Sequence, residues 1–376
     1  MSLSEEAARS QASRYLEGWP EQGDAAAPHP DEARQVAWAL KELCYEAFSS
    51  EPRRAPLAAD ALRALSQADL PVSDRAEITA VARWAEGIAC VTRGEMADAV
   101  ACFDEAAQGL RSAGLADHAA QTQVPKIMAL SMLGRHDEAT ACAEAAQRDL
   151  LALGNVRIAS RVSQNLGALH FRRDNYTAAA RHYREAAVLF ARVGDHLNSV
   201  RADIGLADAF TALGDFDEAE RIFARARMRA GHRDMALQLA QLEESVALLN
   251  QARGRHPQAL AGLEAARRGY EALGVPQYLA VAEKQLADAY LELRLLPEAH
   301  EMFEAAVKKF AALSMPDDQG WAVTQRGRTE ALMGHHDADA SLAAGGALFA
   351  AHGNAVGTAT VALARAELAM TVGNAS

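Results

Sequence analysis

Aromatic side chains make up only 6% of the 376 residues, which excludes one large aromatic core. Cysteine is rarer still. Cys44, Cys90, Cys102 and Cys142 form no CxxC pair and all fall in helical patterns. Reduced, buried thiols of a cytoplasmic protein are therefore expected, with a Cys102–Cys142 disulfide one repeat apart as the alternative that spacing alone does not decide. No stretch reaches the roughly 18 to 20 uncharged apolar residues that span a bilayer, so no membrane partner is expected. Met1 to Ser10 carries Glu5 and Glu6 and lacks the apolar core of a secretory signal. Alternating apolar and polar residues are missing throughout, which leaves no strand pattern. Positive charge is also in deficit. A net charge of −12 argues against a nucleic-acid surface and favours solubility and basic partners.

Catalytic motifs are absent as well. There is no phosphate loop, no G-x-S-x-G elbow and no H-E-x-x-H zinc motif. No catalytic, cofactor-binding or metal-binding residue is expected. His136, His256 and His336 share one repeat position with Met96, Tyr176, Phe216 and Leu296. A position shared by those types is a packing position, so the histidines read as half-buried spacers. Single ligands one repeat apart would not close a tetrahedral metal site.

What the chain has is repetition at a spacing of 40 residues. Small residues recur at Gly87, Gly167, Ala207, Ala247, Ala287 and Gly327, with Ile127 the bulky exception. Twelve residues on stand Ala99, Ala139, Ala179, Ala219, Ala259 and Ala299, failing at Asp339. Seven further on come Ala106, Ala146, Ala186, Ala226, Ala266, Ala306 and Gly346. Breakers divide the pattern. Gly94, Gly134, Gly214, Gly254 and Gly334 stand before the second helix of a unit, with Asp174 and Arg294 as substitutes. Gly114, Gly154, Gly194, Gly274, Ser314 and Gly353 follow it. Each half-unit then holds a helix of some 15 to 17 residues, roughly 25 Å long. Self-similarity at a fixed period predicts an all-α solenoid in which each unit buries its apolar face against its neighbours.

Four segments are expected. Residues 1–30 hold a short helix, over residues 3–17, and a linker from Gly18 to Pro30. Residues 31–72 form a degenerate capping repeat that keeps Ala47 and Ala59. Residues 73–353 hold seven repeats, and residues 354–376 the first helix of an incomplete ninth. That last helix has only Arg365 and Glu367 as charges, so its apolar surface either docks a partner or following domain or folds down as its own cap.

Small residues at positions 8, 20 and 27 of a unit, with an aromatic at position 24 (Phe103, Tyr183, Phe223 and Phe303), resemble the tetratricopeptide repeat (TPR). Leu263 is conservative there, and Ala143 and Ala343 are eroded. Leu166-Gly167, Leu206-Ala207 and Leu286-Ala287 match that family's leucine-small pair. The resemblance covers about residues 34 to 373 and departs in its period, 40 where the family has 34. It implies an α-α superhelix of about eight helix-turn-helix units plus an unpaired C-terminal helix. Forty-residue arrays of this style resemble two groups, the scaffold arrays of cell-polarity adaptors and the regulatory arrays preceding caspase-like CHAT protease domains in bacteria. The phrases at residues 212–219 and 190–195 look more like the bacterial group, although no CHAT residue is present.

The family resemblance implies that positions 2, 5, 6, 9 and 12 of each first helix line a concave groove. These positions give Trp84, Ile88, Val124, Met128 and Ser131 in the early units. The middle units give Arg161, Gln164, Asn165, Phe171, Arg201 and Asp208, and the later ones Gln241, Glu244, Ser245, Lys284, Gln285 and Asp288. Such a surface would grip a protein or peptide. Arg161 and Arg201, with Asn165, resemble a carboxylate clamp, but Gln164 and Ala168 replace its lysine-asparagine pair, so chaperone tails are not expected. A solvated polar face with scattered ion pairs is the alternative. Pro125 should kink or break its helix, either as a deformed groove wall or as a break tolerated by packing. The expected function is a non-catalytic interaction array serving a CHAT-type protease system. The alternatives are a stand-alone adaptor or signalling-peptide sensor, and an excised part of a protease.

Overall fold

A computed structural model describes residues 3–22, 28–50, 54–231, 235–351 and 354–373. Among these residues there are eighteen helices and no strand. The chain divides into two compact units, Met1–Asp195 and His196–Ser376. The first holds α1 (Glu5–Gln22), α2 (Ala33–Ser50), α3 (Arg54–Gln67), α4 (Val72–Arg93) and α5 (Met96–Ser112). It continues through α6 (Ala116–Met132), α7 (His136–Ala152), α8 (Val156–Phe171) and α9 (Tyr176–Arg192). The second holds α10 (His196–Ala212), α11 (Phe216–Gly231), α12 (Ala236–Ala252), α13 (His256–Leu273) and α14 (Pro276–Glu292). It ends with α15 (Leu296–Ala312), α16 (Pro316–Leu332), α17 (Ala338–Ala351) and α18 (Ala355–Gly373). Even-numbered helices up to α16 pair with the next odd one, and α18 packs on α17 and α16. Even-numbered helices also touch one another, α2 with α4, α4 with α6, α10 with α12 and α14 with α16. They form the inner layer of each unit.

Turn chemistry sets where each helix stops. Gly94 adopts φ 82° and the next amide, of Glu95, donates back to the Cys90 carbonyl at 2.9 Å, closing a Schellman-type cap. The substitutes do the same work in the same conformation: Asp174 has φ 55°, Arg294 φ 61° and Ser314 φ 55°. Arg294 is exposed and the amide after it donates to Tyr290 at 2.9 Å. A side chain held left-handed costs about 1–2 kcal/mol, and glycine returns about 0.5–1 of that through unfolded-state entropy. Arg294→Gly should therefore stabilise by about 0.5 kcal/mol, read as a higher urea midpoint. Gly353 lies outside the described residues.

The small-residue code is a matter of contact. A Cβ added at Gly87 would lie 2.5 Å from Phe103 Cε1, and one at Gly167 2.7 Å from Tyr183 Cδ1. Position 8 thus receives the ring of position 24 of its own repeat. Ile127 and Ala143 occupy the same two positions with the sizes exchanged, and both are buried in one core cluster. The alanines at positions 20 and 27 are buried in every repeat from Ala99 to Ala306.

Several expectations need correcting. Helix α1 runs on through Gly18 and Pro20 to Gln22, five residues past its expected end, with Tyr15 and Leu16 buried. Residues 23–27 of the expected linker lie outside the described residues. Helix α6 is continuous through Pro125, so there is no break. The missing amide costs a single intrahelical bond, the one to the Gln121 carbonyl. The last repeat has slipped by one residue. Ala338, Leu342, Gly345 and Phe349 are buried where Asp339, Ala343, Gly346 and Ala350 were due. Gly334 keeps φ 75°, so the residue is lost between that turn and α17. Asp339 and Ala343 are therefore exposed, not eroded, and Asp339 binds Arg365 at 2.6 Å. His336 is exposed for the same reason, its side chain 92% accessible, while His136 and His256 are half-buried. All four cysteines are free. Three are buried and Cys142 is half-buried, its thiol beside Gln123.

Candidate functional site

The inner layer of the first unit carries a cavity of about 250 Å³. It is lined by Lys41, Glu42 and Tyr45 from α2, Trp84 from α4, Gln121 and Val124 from α6, and Ile158 and Arg161 from α8. The repeat explains this convergence, since Lys41, Gln121 and Arg161 all stand at position 2, spaced by 40 or 80 residues. Trp84 is not an open groove residue as expected. It is 2% exposed and Ile88 is buried too, because α2 packs against α4. The Trp84 ring forms part of the cavity wall, with the Lys41 ammonium 4.3 Å from its centroid. Trp38 stands edge-on to Trp84 with centroids 6.3 Å apart, and tilts against His118 at 4.4 Å. The Trp38 indole N–H donates to Glu77 at 2.7 Å, and Arg34 also binds that carboxylate, at 2.9 Å. The Trp84 indole nitrogen has no hydrogen-bond partner. Burial raises the Tyr45 hydroxyl above its ordinary range, against the opposing pull of Arg161.

The other expected residues of this unit are scattered. Met128, Arg161 and Asn165 are exposed, and Gln164 is half-buried. Phe171 stands edge-on to Tyr176 at 5.2 Å, across the turn into α9. The residues missed by sequence reasoning are Lys41, Glu42, Tyr45, Gln121 and Ile158. Counting Ala47 as position 8 of the degenerate repeat puts Lys41 at position 2 and Tyr45 at position 6, so the same rule reaches both. Burial of a lysine gave no signal.

In the second unit Asp208 and Glu244 line the inner layer and Arg201 is exposed. Burial pushes the Asp208 carboxyl up to about 7, with Glu244 adding to the rise and a hydrogen bond to Ser245 opposing it. Glu244 is raised by burial as well, against hydrogen bonds with Tyr270 and Gln285. The Tyr270 hydroxyl donates to Glu244 Oε2, and Gln285 Oε1 has no partner. Lys284 and Asp288 are tied to each other at 2.8 Å, and Gln325 donates to Asp288 at 3.1 Å. This unit has a cavity of about 640 Å³ between α11 and α12, lined among others by Phe223, Met228, Val246 and Leu249 and by none of the expected residues.

The Asp208 shift fixes a sign. Its carboxyl ionises more readily unfolded than folded, so stability is lost as pH rises from about 3.8 through about 7. Asp208→Asn removes that loss while leaving a side chain that still hydrogen-bonds. The melting temperature of the variant should pull ahead of wild type between pH 5 and pH 8, and a gap that closes over that range would contradict the burial.

Among the described residues no group of three or more His, Cys, Asp or Glu is placed to hold a metal ion. Among the described residues no helix is long and apolar enough to cross a membrane. A tetratricopeptide repeat family model matches residues 158–228. No curated protein matches the chain. Among solved structures, the apo form of RapI aligns with a TM-score of 0.60 at 11% identity, over 90% of this chain and 99% of that one. Yeast Tom70 aligns with a TM-score of 0.60 at 15% identity, over 96% of this chain and 69% of that one. A Rap protein complexed with competence and sporulation factor gives 0.56 at 12% identity, over 90% and 99%. At these identities the likeness is one of fold, a helical-repeat solenoid of TPR type.

Proposed function

We propose that this chain is a non-catalytic array that binds a peptide or protein along its inner helices. The observation that carries the reading is the cavity of the first unit, where four first helices bring polar and aromatic side chains to one place. Helical repeats present such surfaces by stacking, and extended or helical peptides are gripped by side chains set at intervals. Two solved relatives in fold are complexes, one with competence and sporulation factor and one with the Phr* peptide. The second supports a peptide in preference to a small metabolite.

The finer reading is the regulatory array of a bacterial, cytoplasmic CHAT-type protease system, supported by the phrasing of the 40-residue repeat. On that reading α18 offers a second contact, to a protease domain or other partner. Val356, Leu363 and Met370 are exposed on it at seven-residue intervals.

Selection of a displayed random-peptide library on the whole protein tests the array. The expected result is an enriched family of peptides whose capture is lost in Arg161→Glu with helicity unchanged. Arg201→Glu, on the second unit, tests whether that surface contributes as well. Enriched peptides that bind both variants as well as wild type would overturn the proposal for these inner faces.

A further inference from the structure

We propose that the cavity between α11 and α12 binds a neutral, largely apolar small molecule, held by a hydrogen bond to the Asn250 side-chain amide. This site goes beyond the peptide-binding reading and does not rest on it.

At about 640 Å³ the cavity lies inside the roughly 300–1,000 Å³ of sites for small-molecule ligands. The repeat shows how the space arises. Position 11 of a unit carries Leu130, His170 and Phe210 in the three preceding units and Tyr290 in the following one, but Asn250 here. Position 7 carries Leu166, Leu206 and Leu286 in the units around it, but Val246 here. Both lining residues are thus smaller than their counterparts, and the missing volume is left open. Gly231 lines the cavity too, and a Cβ added there would meet nothing within 4 Å. The α11 side of the cavity departs from the repeat in polarity. Position 25 is charged in the neighbouring units, as Glu144, Arg184, Glu264 and Glu304, but is Ala224 here. Position 29 is charged at Arg148, Arg268 and Lys308, and is Met228 here. Together with buried Phe223 and Leu249 these residues give an apolar wall, from which an apolar ligand displaces water favourably.

Charge then narrows the ligand. Glu220 and Arg227 are the charged lining residues, and both are already paired. Arg227 binds Glu243 at 3.0 Å, and Glu220 binds Arg253 at 2.6 Å and Arg255 at 2.9 Å. A charged ligand would have to leave water with no free countercharge to receive it. Asn250 is the lining group left to bond. Its side chain makes no hydrogen bond among the described residues, and neither amide atom is sealed from solvent. A primary amide both donates and accepts, so it matches a carbonyl, hydroxyl or amide on an otherwise apolar skeleton.

The test titrates the whole protein with Nile red, a neutral planar dye that carries a carbonyl and brightens in apolar surroundings. Anilinonaphthalene sulfonate, an anionic dye, is the charged comparison. The expected result is saturable, one-to-one binding of Nile red, tighter than that of the sulfonate. Val246→Leu with Asn250→Tyr restores side chains that other units carry at those positions, and should weaken binding by about tenfold or more. Asn250→Leu keeps the size and removes the amide, and should weaken it about fivefold. Ala224 is exposed, so Ala224→Glu keeps the fold even if the filled variant does not, and it should weaken binding as well. Leu363→Lys, on the exposed apolar face of α18, should leave binding unchanged. Melting curves of each variant show that it is folded. No saturable binding, binding unaltered by the filling substitutions and by Ala224→Glu, loss on Leu363→Lys, or tighter binding of the sulfonate would overturn the assignment.

Discussion

Gly87→Ile is expected to cost more than about 3 kcal/mol, the upper range for overpacking, because even a Cβ there meets the Phe103 ring at 2.5 Å. Phe103→Ala alone should cost about 3–5 kcal/mol through the cavity it leaves. Combined, the two substitutions rebuild the pair that Ile127 and Ala143 already form one repeat later. The double variant should therefore be less damaged than the sum of the singles by about 2–3 kcal/mol. Urea unfolding of the four proteins in the cycle measures this directly. Strictly additive costs would show that positions 8 and 24 do not share one volume.

Removing both Arg225 and Arg229 should cost about 3–5 kcal/mol, the range for stranding one partner of a buried pair. The Asp203 carboxylate is 1% exposed and bonds to Arg225 at 2.6 Å and to Arg229 at 2.9 Å. Both arginines are partly open to water, so replacing Asp203 with serine strands nothing that water cannot reach and should cost less. Arg225→Met with Arg229→Met leaves the aspartate buried and unpaired. Arg83 and Glu105 occupy the same two repeat positions as Asp203 and Arg225 with the charges reversed, at 2.6 Å. Side-chain accessibility there is 47% and 53%, so Arg83→Met should change stability by less than about 1 kcal/mol. A double variant as stable as Arg83→Met would refute the burial argument.

The helix pairs were legible because turn and packing positions recur in phase. Left-handed breakers could be assigned even at Asp174, Arg294 and Ser314, since position within the repeat outweighs residue preference there. Two linked exceptions were also readable. Ile127 and Ala143 looked like separate lapses when taken one position at a time, but size must be conserved between facing side chains, so they form one exchange. The lapses at Asp339 and Ala343 disappear once Ala338, Leu342, Gly345 and Phe349 are set against Ala299, Phe303, Ala306 and Phe310.

The site was less legible. Family positions pointed to Trp84 and Arg161, which do meet at one cavity, but gave no sign that Trp84 is buried under α2. Lys41 lies in the degenerate repeat, to which the groove positions were not extended. Only the three-dimensional contact with two tryptophan rings shows it held inside. Pro125 misled in the other direction. A proline removes one hydrogen bond, and packing on both sides of α6 keeps the helix whole.

Photo-cross-linking of a library-selected peptide to the whole protein, with the attachment sites read by mass spectrometry, tests the central claim most directly. Adducts concentrated on α2, α4, α6 and α8, around Tyr45, Gln121, Val124 and Arg161, are the predicted result. Adducts concentrated on α3, α5, α7 and α9 would place the ligand on the outer helices and contradict the account.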